Sequence, residues 1–262
     1  MKHVTPPPMA EDMIDPLASF SIETLLRLHP YDVSRLEKAY KILDEEIRSF
    51  DPIHKNENAS LPFGGRVIQS YGEYLEDHLQ WTSETLKNFL DFLGFDESIT
   101  VKVAQAFKRH DVGKPSMPGE WKITEGKQNV PDDVRYYRTK QHCLLGAQRI
   151  HQAMEDMGPD ISNEEIVGFM IAENMALYHH ERLNGSGPFG LTAAQLCPVL
   201  RAATIVDTFH GKLKAGKSPD QICQEMASAK HEGEFDAAML SKFSSFVSSP
   251  APATRKDALF QP

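Results

Sequence analysis

Residues 107–114 read Phe107-Lys108-Arg109-His110-Asp111-Val112-Gly113-Lys114, a His-Asp doublet followed by a lysine one helical turn later. Imidazole and carboxylate both bind divalent cations, and a carboxylate has two oxygens with which to bridge a pair of them. Adjacent side chains on a helix point about 100° apart, so from a helix His110 and Asp111 can share one ion only if it lies over the helix edge. Lys114 projects from the same surface and would add positive charge beside the carboxylate. A polar run at a helix end has the same composition, and the doublet alone does not separate these readings.

The rest of the chain supplies further donors in sequence. His78, His142, the pair His179-His180 and Asp207 fall in successive helical segments. Metal sites in helical bundles are built in this way, from side chains projecting inward from facing helices. Imidazole and carboxylate without thiolate suit iron, manganese or zinc at a reactive site better than a structural zinc. Any one of these histidines could be an ordinary hydrogen-bonded residue, and the set carries the inference. His3, His29, His54, His151, His210 and His231 lack the pattern and read as structural or surface residues.

The elements that must position these donors are helical. Apolar residues recur at helical spacing over Tyr71–Leu93, Ser98–His110, Asp132–Met157, Asn163–His180, Cys197–Lys214, Pro219–Lys230 and Phe235–Val247. No stretch shows convincing alternation of period two, so the fold class is all-α, a helical bundle. Upstream, Ser21–His29 and Asp32–Phe50 also read as helices, separated by Pro30. Residues 1–65 are therefore either a small helical accessory region or packing for the main domain. Residues 51–65 read as a linker, 66–248 as that main domain, and 249–262 as a mobile tail. Segments 113–131 and 181–192 are loops by composition.

Bulk properties narrow the classes. The chain has 262 residues, 40% hydrophobic and 25% charged, as in an ordinary globular protein. A net charge of -9 argues against a DNA or RNA polymer held on a broad basic surface. A small anionic substrate is compatible with that charge, because bound cations reverse the local sign. No run has the apolar length of a membrane span, and the start shows no apolar signal core. Cys143, Cys197 and Cys223 have no metal-type spacing and read as reduced thiols. A cytoplasmic protein is the expectation.

With these residues in order, the sequence resembles the HD-GYP branch of the HD superfamily of metal-dependent phosphohydrolases, from about Tyr71 to Val247. The likeness runs through His78, then His110-Asp111-Val112-Gly113-Lys114, His142 with Gly146, His179-His180-Glu181-Arg182 and Asp207. It continues in Asn184-Gly185-Ser186-Gly187-Pro188-Phe189-Gly190-Leu191, which is similar to the family's Gly-Tyr-Pro loop, and in Gly233-Glu234-Phe235-Asp236. There are three departures. The loop lacks the tyrosine and begins with Asn184 rather than aspartate. Tyr74 stands where many members have a glutamate that recruits a third metal. Lys212 to Lys217 replaces an Arg-Pro-Tyr segment.

The resemblance implies two divalent metal ions, iron or manganese, bridged by Asp111. His78, His110 and Asp207 would complete one site, and His142, His179 and His180 the other. Which of the paired histidines binds is left open. Two such cations acidify a water between them and aim it at phosphorus, while Lys114 stabilises the more anionic transition state. Arg182, Asn184, Gly185, Gly187, Lys214 and Lys217 are the expected substrate contacts, and Glu181 is either a partner that orients a histidine or one half of a helix-end ion pair.

The implied activity is hydrolysis of a cyclic dinucleotide, foremost cyclic di-GMP, to linear pGpG and GMP. The altered loop leaves room for a cyclic GMP-AMP or a simpler phosphoester. Two other classes stand beside it: a metal-bound cyclic-dinucleotide receptor of weak or no turnover, and a di-iron oxygenase of the same superfamily. A homodimer or a regulatory partner would act through the N-terminal helices.

Overall fold

The computed structural model describes residues 33–49, 61–63, 66–68, 71–117, 132–213 and 217–249. The helix expected over Ser21–His29 and residues 250–262 of the expected tail lie outside these, as do Lys214 and residues 118–131. The described residues form eight α-helices in order: α1 Val33–Arg48, α2 Tyr71–Phe92, α3 Glu97–Phe107, α4 Asp132–Glu155, α5 Asn163–Tyr178, α6 Pro198–Leu213, α7 Pro219–Met226 and α8 Ala237–Ser248. The fold class is all-α. One short antiparallel pair, β1 Leu61–Phe63 with β2 Arg66–Ile68, spans the boundary between the segment read as a linker and the main domain. Three-residue strands are too short for a period-two pattern to register. Among the described residues, no helix is long and apolar enough to cross a membrane.

The helix starts arise from local chemistry. Ser162 and Ser218 each form a capping box, their hydroxyls accepting from the backbone of Glu165 and Gln221 while those side chains accept from the cap residue's N–H. Asp96 and Asp236 cap α3 and α8 through their carboxylates. Leu75, Leu79, Leu86, Phe89 and Leu90 form the buried stripe of α2 at helical spacing, and His78 lies beside its first turn. Phe89, Phe209, Phe243 and Phe246 meet edge-on or tilted where α2, α6 and α8 converge.

Helix α1 packs against α2 and α4. Tyr40, Leu43 and Ile47 join the main core. Asp44 accepts two bonds from Arg109, Glu46 pairs with Arg149, and Arg48 pairs with Glu76. Arg109 also stacks on Tyr40, 4.4 Å from the ring centre.

Two elements end earlier than their periodicity suggests, and both matter for the site. The expected helices run through His110 and His180, whereas α3 ends at Phe107 and α5 at Tyr178. Beyond Phe107 the chain advances in tight turns, with His110 N–H donating to Phe107, Val112 to Arg109 and Lys114 to Asp111. From these turns His110 Nε2 comes within 3.6 Å of Asp111 Oδ2, although three residues per turn still set adjacent side chains about 120° apart.

Candidate metal centre

Asp111 is 1% exposed and lies where α2, α4, the end of α5 and α6 converge. Its Oδ2 is 3.5 Å from His78 Nε2 and 3.6 Å from His110 Nε2. Asp207 Oδ1, on α6, is 3.4 and 3.6 Å from the same two nitrogens, which are 3.3 Å from each other. The other oxygen, Asp111 Oδ1, faces the opposite way, 3.3 Å from His142 Nε2 and 3.6 Å from His179 Nε2. Those two nitrogens are 3.4 Å apart. His180 sits against His142 and His179, with its Nδ1 3.8 Å from Asp207 Oδ2.

Four donors held about 2.1 Å from one cation at tetrahedral angles would be about 3.4 Å apart. The separations around each Asp111 oxygen match that spacing. Among the described residues Asp111 Oδ1 has no hydrogen-bond partner, although it is buried, and a buried orphan oxygen of this kind calls for an ion or water. The residues present therefore fit two divalent cations.

The imidazoles are oriented for that role from behind. The Nδ1 of His110 donates to the carbonyl of Phe107, that of His142 to Arg138, and that of His179 to Met175 and Ala176. A neutral imidazole protonated at Nδ1 carries its lone pair on Nε2, and in all three residues Nε2 is the atom that faces Asp111. Two such lone pairs 3.4 Å apart repel unless a cation lies between them.

The charge state agrees. Burial opposes ionisation of Asp111, but Lys114 and His110 outweigh it and hold the carboxyl well below its usual range. Asp207 is depressed in the same way by His110 and His78. Burial pushes the pKa of His179 down, and burial together with the neighbouring His179 does so more strongly for His180, leaving both neutral. For His110, burial is outweighed by Asp111 and Asp207, which raise its pKa.

No family model and no curated protein matches the chain. Among solved structures it is similar to Bd1817, an HDG"Y"P protein from Bdellovibrio bacteriovorus. The TM-score is 0.56 and the identity 16%, covering 88% of this chain and 68% of that one. The fold is that of an HD-GYP protein. At this identity the likeness carries the fold, and the case for metal chemistry rests on the ligand geometry around Asp111.

Within this HD-GYP fold the expected substrate contacts are largely engaged with the protein. Arg182 sits over the Phe235 ring and pairs with Glu234 at 3.5 Å. Asn184 closes a turn, its Oδ1 accepting from the backbone and hydroxyl of Ser186, and its amide donating to Glu232. Gly185 has φ 77°, the left-handed conformation that this turn needs. Lys217 pairs with Glu225, which also accepts from Lys212. Lys114 stands at the metal centre, with Nζ 2.6 Å from Asp111 Oδ2.

Glu181 is committed to a loop and not to a histidine. Its carboxylate accepts from the N–H groups of Phe189 and Leu191, clasping the loop that follows Asn184. Gly187 serves the same contact: a Cβ there would be 2.6 Å from the Glu181 Cα and 2.8 Å from its carboxylate. Glu181→Ala should cost about 2 kcal/mol or more by orphaning two N–H donors, measured by urea unfolding, with both metals retained.

Two residues at the centre lie outside the donor set read from the sequence. Cys143, read only as a reduced thiol, has its Sγ 3.7 Å from His142 Nε2; burial, with Asp111 and Glu181 nearby, raises its thiol pKa well above normal. His210, read as structural or surface, has its Nδ1 2.6 Å from His78 Nδ1. Its position three residues after Asp207 on one helix was the available signal.

Proposed function

We propose that this chain is a dinuclear-metal phosphodiesterase acting on a cyclic dinucleotide, most naturally cyclic di-GMP, and releasing the linear dinucleotide. The observation that carries the reading is Asp111, whose two oxygens face separate sets of imidazole lone pairs. His78, His110 and Asp207 would hold one ion, and His142, His179 and His180 the other. Divalent cations so held acidify water and polarise phosphoryl oxygens.

The chain's own groups supply the rest. Asp111, kept ionised, fixes the spacing between the halves. The Nδ1 bonds to backbone carbonyls keep His110, His142 and His179 from rotating. Lys114, partly buried beside Asp111, offers a fixed ammonium to the charge that develops on phosphorus oxygens in the transition state. Iron or manganese fits the donor set.

Lys114→Ala should keep both metals and lower turnover about 100-fold, read by product chromatography from cyclic di-GMP with manganese or ferrous iron. Wild-type protein that binds the dinucleotide tightly and releases no linear product would refute the enzyme. It would instead support a receptor, a reading favoured by the commitment of Arg182, Asn184 and Lys217 to internal partners.

A further inference from the structure

We infer that His210 is a positioning residue for the metal centre, fixing the proton of His78 so that its Nε2 lone pair faces the cation. The inference rests on the dinuclear reading of the Asp111 site. His110, His142 and His179 each have their Nδ1 anchored by a backbone carbonyl, which can only accept. His78 differs: its Nδ1 lies 2.6 Å from the Nδ1 of another imidazole, and an imidazole nitrogen can be either donor or acceptor.

At that separation one nitrogen donates and the other accepts. If His210 donates, the proton of neutral His78 lies on Nε2, where it faces Asp111 Oδ2 and Asp207 Oδ1 and blocks coordination. If His78 donates, its Nε2 presents a lone pair to the same point, and His210 carries its own proton on Nε2. Binding of a cation at His78 therefore selects the second arrangement in both rings together.

His210 is held for this task. It is fully buried, and its ring stacks on Trp81 with centroids 4.3 Å apart and planes at 27°. Asp207 and His210 lie three residues apart on α6, so one helix turn supplies both a carboxylate to the centre and the group behind His78.

The test compares wild type, His210→Asp and His210→Phe for manganese stoichiometry and affinity by chelator competition. Aspartate accepts and cannot donate when ionised; phenylalanine does neither. His210→Asp should keep two ions at near wild-type affinity, and His210→Phe should weaken one by about 10–100-fold, with helical content unchanged by circular dichroism. Equal affinity of all three proteins for both ions would overturn the inference while leaving the metal centre intact. A wild type that binds no manganese or iron would remove the metal centre and the inference with it. Should His210→Phe fail to fold, nitrogen-15 histidine spectra of zinc-loaded wild type decide the matter. A proton on His78 Nδ1 supports the assignment, and a proton on His78 Nε2 refutes it.

Discussion

Asp111→Ala should release both metal ions at once and lower turnover about a thousandfold or more. Each oxygen of this carboxylate faces a different group of nitrogens, so its removal leaves the two groups without a common ligand. A single-site ligand behaves differently: its loss empties one position and leaves the other filled. The expected rate effect arises because metal-assisted water activation and charge neutralisation together supply several kcal/mol, and each 1.36 kcal/mol is tenfold in rate. Elemental analysis of the purified variant beside wild type, followed by single-turnover assays, provides the check. Two ions retained in Asp111→Ala would refute the bridging role.

Gly113→Ala should destabilise the chain by about 3 kcal/mol or more and impair the half of the centre that contains His142. A Cβ at this position would lie 2.0 Å from the His142 carbonyl and 2.4 Å from the Gly146 nitrogen, both of them backbone atoms. No rotamer change relieves such contacts, so α4 must move away from the turn that carries Asp111. Moving α4 takes His142 Nε2 out of its 3.3 Å approach to Asp111 Oδ1. Gly211→Ala is the control, since a Cβ there meets nothing within 4 Å and alanine favours a helix. Denaturant midpoints of the two variants with metal removed isolate the packing effect. An unchanged midpoint in Gly113→Ala would exclude it.

The helices and the donor set were readable in the sequence because each depends on local pattern. Apolar spacing marks α1 to α8, and the histidine and aspartate types survive whatever the exact backbone. What the pattern did not give was orientation. Periodicity carried the helices through His110 and His180, whereas the turns after Phe107 and Tyr178 bring the donors together. The function of Glu181 was equally hidden, because a carboxylate following two histidines looks like their partner, and its bonds to Phe189 and Leu191 arise only when the loop folds back. His210 is hidden for a related reason. Its importance comes from contact with His78, 132 positions away, and in the sequence only its spacing of three from Asp207 points to it.

The Asp44–Arg109 pair decides where this chain can be cut. Arg109 is 3% exposed and occupies the position before His110, and its guanidinium is neutralised by a helix that begins at Val33. A fragment starting at residue 66 would keep every candidate ligand yet lose both the carboxylate that pairs with this guanidinium and the Tyr40 ring that covers it. It would also bare the faces covered by Tyr40, Leu43 and Ile47. Expression trials of the two lengths should therefore give soluble, metal-retaining protein from residue 33 and aggregate from residue 66. That outcome would make a helix without a single candidate ligand part of the smallest autonomous unit.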